Sequence, residues 1–361
     1  MTTLNILLFS QAGQIATRYA DSRRLFALRQ HRWLFALVLL LAATVVPAIG
    51  SDYWLSAILV PFLVLSLAGL GLNILTGYTG QLSLGSAAFM AVGAFATYNL
   101  QLRIPQLPLL VSITLGGIIS ALFGVLVGLP SLRIKGFYLI VSTLAAQFFI
   151  PWLFTQYGWF SNNNASGVIS APQLAILGHR FDSPAGHYQL TLGIVLVLTL
   201  AARQLIHSPL GRNWMAVRDM DTAAATQGIP ILRSKLLAFA ISSFYLGVAG
   251  ALWAFVYLGT VEPAGFDLSR SFQILFIIII GGLGSLLGSF LGAGFIVLLP
   301  IILSTGSSAL FGQNVDQALL QNLQKIIFGS LIIFFLIKEP DGLARLWLRL
   351  RARLSLWPLR Y

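Results

Sequence analysis

Residues Tyr53–Leu102 read YWLSAILVPFLVLSLAGLGLNILTGYTGQLSLGSAAFMAVGAFATYNLQL, 50 residues without one Asp, Glu, Lys, Arg or His. A helix needs about 20 apolar residues to cross a bilayer, so this stretch holds two crossings and their connection. The connection is Gly77-Tyr78-Thr79-Gly80-Gln81-Leu82-Ser83-Leu84-Gly85. Non-helical backbone inside a membrane is tolerated only where protein or a water-filled cavity satisfies its polar groups. A linker without a charge is therefore expected to be sunk into protein. A second uncharged stretch, Ser271–Val315, runs for 45 residues around Gly281-Gly282-Leu283-Gly284-Ser285-Leu286-Leu287-Gly288. Gly77 and Gly80 can be laid over Gly281 and Gly284, a short internal match.

The rest of the chain has the same character. Of 361 residues, 57% are hydrophobic and 9% charged, with a mean hydropathy of +0.87. A soluble domain carries about 25% charged residues, so a soluble enzyme is excluded, and so is disorder, whose signature is low hydrophobicity. The chain reads as an all-α polytopic membrane protein. Candidate helices span about Trp33–Ile49, Trp54–Ile74, Leu82–Leu100, Leu107–Leu129, Phe137–Phe154, Tyr188–Ile206, Leu236–Leu258, Phe272–Ile280, Leu286–Leu303 and Leu319–Ile337. Ten crossings are the simplest count, with two glycine-interrupted hairpins related as an internal repeat. The expected organisation is a basic segment over 1–32, a transmembrane body over 33–337 and a basic tail over 338–361. The first segment is no signal peptide, because its apolar run Leu4–Phe9 is short and its arginines follow it. It reads either as an amphipathic helix on the membrane face or as a basic tail without structure.

Ten crossings put both termini on one side, and the basic residues choose it. With the termini inside, 18 of the 22 Lys and Arg fall on inner segments, leaving Arg103, Arg180, Arg270 and Lys325 outside. Such sorting is the positive-inside signal. The net charge of +12 then reflects orientation, and no nucleic-acid partner is needed.

The acidic residues are Asp21, Asp52, Asp182, Asp219, Asp221, Glu262, Asp267, Asp316, Glu339 and Asp341. All are expected in loops or at span ends, as are His31, His179, His187 and His207. Ion-coupled carriers usually keep Asp, Glu or His inside the membrane despite the desolvation cost, so this pattern disfavours an ion-coupled secondary carrier. The chain has no GxxxxGK[ST] loop, no metal-spaced His pair and no cysteine, so no ATP, metal or other cofactor site is expected. An ATP-driven version must draw on separate ATPase subunits. A passive channel remains open. With no charge expected in the pore, urea, amides and organic acids also stand as alternative solutes.

Glycine interruptions at matching places in two halves point to a transporter's binding site. The candidate substrate-pathway residues are Asn73, Tyr78, Thr79, Gln81, Ser83, Ser86, Gly281, Gly282 and Ser285, whose uncharged polar groups suit a small polar or zwitterionic solute. The competing reading is close helix packing. It fits the ladder Gly116, Ser120, Gly124, Gly128 almost completely, and applies to Gly284, Gly288 and Gly292 as well.

Residues 207–235 form the longest polar segment on the expected inner side. Pro209 opens it, and Ala223–Ala225 favour a short helix stopped by Gly228 and Pro230. Gly211, Arg212, Ala216, Arg218, Asp219, Asp221, Ala223, Ala224, Gly228 and Ile229 follow the order GR-x-x-x-A-x-R-D-x-E-x-A-A-x-x-x-G-I. This segment resembles the coupling loop of ATP-binding-cassette importer permeases, most closely the branched-chain amino acid permease family of LivM type. Asp221 stands where that family often has Glu. Gly71-Leu72-Asn73 with Gly77–Gly85, Leu129-Pro130-Ser131-Leu132-Arg133 and Gly281–Ser285 resemble further family motifs, and Ser86 stands where many members carry His. The resemblance spans roughly residues 53–342.

It implies a permease subunit in the inner (cytoplasmic) membrane of a bacterium, importing branched-chain or similar small amino acids. The implied partners are a second homologous permease subunit, two cytoplasmic ATPase subunits that bind the ATP, and a periplasmic solute-binding protein. The ATPases would act on Gly211, Arg212, Arg218, Asp219, Asp221, Ala223, Ala224 and Gly228. In the expected periplasmic loop, residues 155–187, Trp159, Asn162, Asn163, Asn164 and Ser166 are candidates for meeting the binding protein; a plain solvated loop is the alternative.

Overall fold

The computed structural model describes residues 29–132, 138–162, 169–170, 175–176, 179–180, 183–311, 317–338 and 342–355. The 1–32 segment up to residue 28, Arg133, Asn163, Asn164, Ser166 and Asp316 lie outside them. The helices in chain order are α1 (Arg29–Ile49), α2 (Trp54–Thr79), α3 (Ser86–Arg103), α4 (Leu109–Leu132) and α5 (Tyr138–Gln156). After these come α6 (Pro184–Ile206), the short α7 (Pro209–Asp219) and α8 (Asp221–Thr226), then α9 (Ile231–Leu258) and α10 (Leu268–Gly281). Helices α11 (Leu286–Phe311), α12 (Gln317–Lys338) and α13 (Gly342–Ser355) complete the set. Each of the ten segments expected to cross falls largely on a helix of the described residues. Among the described residues, seven helices are long and apolar enough to span a membrane by themselves, which makes the chain a multi-pass membrane protein.

Several boundaries differ from expectation by four residues or more, and two of them shape the site. Helix α3 starts at Ser86, four residues later than Leu82. Gly80 ends α2 in the left-handed region (φ 70°), and the Gln81 N–H turns back to the Leu75 carbonyl at 3.2 Å, so residues 80–85 stay non-helical. Helix α10 starts at Leu268, four residues before Phe272. The Asp267 carboxylate accepts the Arg270 N–H at 2.9 Å and caps the new start. Arg270 therefore sits in the first turn of a helix within the apolar segment Pro263–Gly281, and is not an outer-loop residue. The cap three residues upstream extends the helix over the arginine.

Short strands join the loops at the end opposite the 207–235 segment. Strand β1 (Ile169–Ser170) pairs antiparallel with β4 (Thr260–Val261), with Ile169 opposite Val261; β2 (Ala175–Ile176) pairs with β3 (His179–Arg180). The first pair ties the 155–187 loop to the α9–α10 connection.

Helices α2 and α9 form the centre and are buried on almost every side. Their apolar residues run all the way round, as expected of a helix with no solvent or lipid face. The surrounding α4, α5, α6 and α11 bury one face and turn Leu122, Leu126, Phe148, Val197 and Ile302 outward, as a lipid-facing surface requires. Lipid offers no hydrophobic drive for helices to associate, so close contact rests on small residues. A Cβ on Gly93 would lie 2.2 Å from the Gly247 carbonyl oxygen, and one on Gly250 would lie 2.0 Å from that of Met90. Helices α3 and α9 thus meet backbone to backbone. The ladder of α4 completes the junction: Gly116 lies against Thr97, Ser120 donates to the Phe89 carbonyl at 2.8 Å, and Gly124 lies against Ser243. For this ladder the packing reading holds.

Gly250→Ala must push α3 from α9, and overpacking of this kind costs about 1–3 kcal/mol. The detergent-solubilised variant is expected to melt at a lower temperature in a fluorescence scan, whereas Gly193→Ala, with nothing within 4 Å of the added carbon, is expected to melt like the parent.

Candidate coupling and translocation site

The 207–235 segment folds as two short helices. The Ser208 hydroxyl accepts the Leu210 N–H and caps α7, with Pro209 pre-set at the first helical position. Met220, in extended conformation, breaks the segment before α8, and Asp221 then sits in the first turn of α8, where the helix dipole favours a negative charge. Gly228 (φ 80°) closes α8, and the Ile229 N–H returns to the Ala224 carbonyl.

One face of this unit is anchored. Trp214 is fully buried and donates to the Ser234 carbonyl at 3.1 Å. Gly211 lies flat on Ile206, where a Cβ would fall 2.0 Å from the carbonyl oxygen. Ala224 is buried, and Lys235 Nζ reaches Asp221 Oδ2 at 2.6 Å. Arg212, Asp219, Met220, Thr222 and Gln227 face outward, so the unit presents a mixed polar surface held on a rigid base.

Arg218 reaches inward from this unit. Its Nη1 donates to the Gly77 carbonyl at 3.0 Å, while Nε and Nη2 both meet Asp219 Oδ1 at 2.9 Å. The Gly77 carbonyl belongs to the last turn of α2, where carbonyls have no helical partner and a cation is favoured. The Arg218 side chain also runs past both left-handed glycines. Its Cγ would lie 3.0 Å from a Cβ on Gly80, and its Nη1 3.4 Å from one on Gly284.

The two glycine-rich connections touch one another. Gly80 and Gly284 take the same left-handed turn (φ 70° and 73°). The Gly284 N–H donates to Asn73 Oδ1 at 2.8 Å, and Asn73 Nδ2 donates to the Ser285 carbonyl at 2.8 Å and to Ser289 Oγ at 3.0 Å. A Cβ on Gly77 would meet Gly284 N at 2.3 Å. Asn73 therefore acts as a clasp with both ends of its amide engaged. The Ser285 hydroxyl accepts the Gly288 N–H and starts α11. Gly281 lies against Gly288 and Gly292, and Gly282 against Gly342.

The remaining candidates line the 78–86 stretch. Tyr78, Thr79, Gln81, Ser83 and Ser86 are all buried. Thr79 donates back to the Leu75 carbonyl, and Gln81 Nε2 points at the Lys235 carbonyl at 3.5 Å. Gln81 Oε1 and Ser86 Oγ are buried without a hydrogen-bond partner among the described residues.

Sequence reasoning missed the residues that receive the start of α3. Gln147 Oε1 accepts the Ala88 N–H and the Ser271 hydroxyl, both at 2.8 Å, and its Nε2 donates to the Phe266 carbonyl at 2.9 Å. Ser271 Oγ accepts the Ala87 N–H, and Thr143 Oγ1 the Leu84 N–H. The first N–H groups of a helix have no partner of their own; here α5 and α10 supply them. The available signal was the presence of polar side chains such as Thr143, Gln147 and Ser271 in apolar helices, which must be paired when buried. At the opposite end, Trp159 is exposed and Arg103 stacks on its ring, 3.5 Å from the centroid. Among the described residues no group of three His, Cys, Asp or Glu is placed to hold a metal.

A family profile described as the branched-chain amino acid transport system / permease component matches residues 54–336. The chain is 30% identical over 305 residues to the high-affinity branched-chain amino acid transport system permease protein LivM of Salmonella typhimurium, covering 76% of this chain and 66% of the relative. The chain thus spans just under two thirds of that protein. It is 23% identical over 326 residues to a probable LivM of Methanocaldococcus jannaschii, covering 80% and 92% of the two chains. It is 29% identical over 195 residues to the autoinducer 2 import system permease protein LsrC of Klebsiella pneumoniae, covering 52% and 53%. No solved structure matches the chain.

Asn73→Leu keeps the size of the side chain and removes the clasp. A buried group left unpaired costs about 1–3 kcal/mol, so a clear fall in melting temperature is expected. A double-mutant cycle with Ser289→Ala is expected to show coupling of about 0.5 kcal/mol or more; additive effects would mean that the clasp carries no energy.

Proposed function

The chain belongs to the family of branched-chain amino acid transport system permease components, and on that premise we propose that it is the membrane-spanning subunit of an ATP-binding-cassette importer. Its solute is a branched-chain or similar small amino acid. It crosses the inner membrane ten times with both termini cytoplasmic, and its two glycine connections are the equivalent turns of an internal repeat. It works beside a second homologous permease, with two cytoplasmic ATPases on the 207–235 loop and a solute-binding protein on the 155–187 side.

The observation that carries this reading is the Arg218 bridge. A loop of the kind on which ATPases would dock is hydrogen-bonded to the end of α2, and its guanidinium passes both connections within contact distance. Displacing α7 must break or drag the contact at Gly77. Because Asn73 clasps Gly284 and Ser285, the start of α11 must follow the end of α2. One push from the cytoplasmic side then reaches both hairpins, as alternating access between outward and inward openings requires. Trp214 and Gly211 keep α7 from absorbing the push by rolling on its base.

Membership in the family leaves the solute open, since relatives include permeases named for branched-chain amino acids and for autoinducer 2. The greater coverage by the LivM relatives favours an amino acid over the urea, amide and organic-acid alternatives. ATP belongs to the partner subunits.

With the complete importer in proteoliposomes, Arg218→Glu is expected to abolish ATP-dependent leucine uptake while ATP hydrolysis continues. Arg218→Lys, which keeps the charge and loses the fork geometry, is expected to retain a fraction of uptake. Leucine uptake by this chain alone, without ATP, would overturn the reading in favour of an ion-coupled carrier or a channel.

A further inference from the structure

Arg270 is not used by the coupling site, and its setting calls for a ligand. It occupies the first turn of α10, inside an apolar segment long enough to span a membrane. A guanidinium does not lose its proton in proteins, and a cation in such a segment is normally paired or faces a water-filled cavity. Two neighbours hold the guanidinium in direct contact, and the Asp267 carboxylate acts on it electrostatically. The guanidinium carbon lies 4.2 Å from the centroid of the Trp253 ring, and Nη1 donates to Gln273 Oε1. Neither contacting group is an anion. Nε is buried and has no hydrogen-bond partner among the described residues, and the same is true of Trp253 Nε1.

Arg270 borders a cleft of about 590 Å³, within the range of small-molecule sites. Its lining divides by chemistry: Arg270 and Gln273, the carboxylate of Asp267, and an apolar wall of Phe272, Phe276 and Ile296. Asp267 keeps one oxygen on the Arg270 backbone N–H, and its side chain remains exposed. The cleft thus offers a held cation, a neighbouring anion with no direct contact to the guanidinium, and an apolar surface, which together match a zwitterion with an apolar side chain.

The geometry points to a binding site for an apolar α-amino acid at the start of α10, with the carboxylate on Arg270, the ammonium on Asp267 and the side chain on Phe272, Phe276 and Ile296. This rests on the importer function proposed above and names its solute class. In the topology proposed there the cleft lies toward the outer face, where a solute released by the binding protein arrives first. The fork of an arginine suits a carboxylate and specifies its orientation. Urea and amides lack the anion, and simple organic acids lack the ammonium.

The test uses the assembled permease–ATPase complex in nanodiscs without its binding protein, with radiolabelled leucine as probe. Leucine is expected to bind, while 3-methylbutylamine, which lacks the carboxylate, and 4-methylpentanoate, which lacks the ammonium, compete about tenfold or more less well. Arg270→Gln is expected to weaken leucine binding by a similar factor. Arg270→Lys and Asp267→Asn are expected to weaken it less, and melting curves of all three verify folding. Leucine affinity within twofold of the parent in Arg270→Gln would overturn the site, and so would equal competition by 4-methylpentanoate, which marks an anion pocket that a lipid headgroup also fills. If the parent complex with ATP and binding protein imports no amino acid, the importer reading itself falls, and this site with it. If uptake persists with its KM unchanged in Arg270→Gln, only the site falls.

Discussion

The carbonyl of Gly77 ends a helix and has no helical partner, and the way it is satisfied organises one whole end of the molecule. In water such a group would be hydrated. Here Arg218 reaches it from a separate helix, 141 positions along the chain, and the approach needs glycine at the places the arginine passes. A side chain on Gly80 would press on the arginine stem, and one on Gly77 would strike Gly284. The same crowding forces the second connection against the first, so that Asn73 can clasp it. One unsatisfied carbonyl thus explains why two glycine-rich turns, a coupling arginine and a buried asparagine occur together.

The central helices follow the same logic of polar satisfaction in an apolar medium. Helices α2 and α9 are buried on almost every side, α3 closes on α9 through glycines whose replacement would put a carbon within about 2 Å of a facing backbone atom, and α4 closes on α9 through glycines that lie against its side chains. Rigidity here complements the connections. A push at Arg218 can move the ends of helices only if their middles do not deform. The start of α3 is handled differently from the end of α2: side chains of α5 and α10 meet its N–H groups, and Gln147 alone joins α3, α10 and the turn at Phe266.

Much of the architecture was legible in the chain. The uncharged runs place the helices because a bilayer sets their length, and every expected span falls largely on a helix. The short helices of the 207–235 loop were foreshadowed by Pro209, the alanines and Gly228. The start of α10 was not legible, because a run of apolar residues begins at Phe272 while the helix obeys its cap at Asp267. Hydropathy measures partition into lipid; capping is a local hydrogen bond, and the two need not begin at the same residue. The partners of the α3 start were hidden for another reason. A buried Gln or Ser in an apolar helix says that a partner exists and not which one.

Sequence alone determined that this chain lives in a membrane, where its helices run, and which segments combine glycine with uncharged polar residues, since all three depend on composition over neighbouring positions. Tertiary structure decided what those residues touch. Asn73 meets residues 211 to 216 positions away, Arg218 closes on the end of another helix, and Arg270 stands beside a cleft with its Nε unpaired among the described residues. Hydrogen bonds act over about 3 Å and carry no trace of sequence separation, so only the packed helices could bring these groups together.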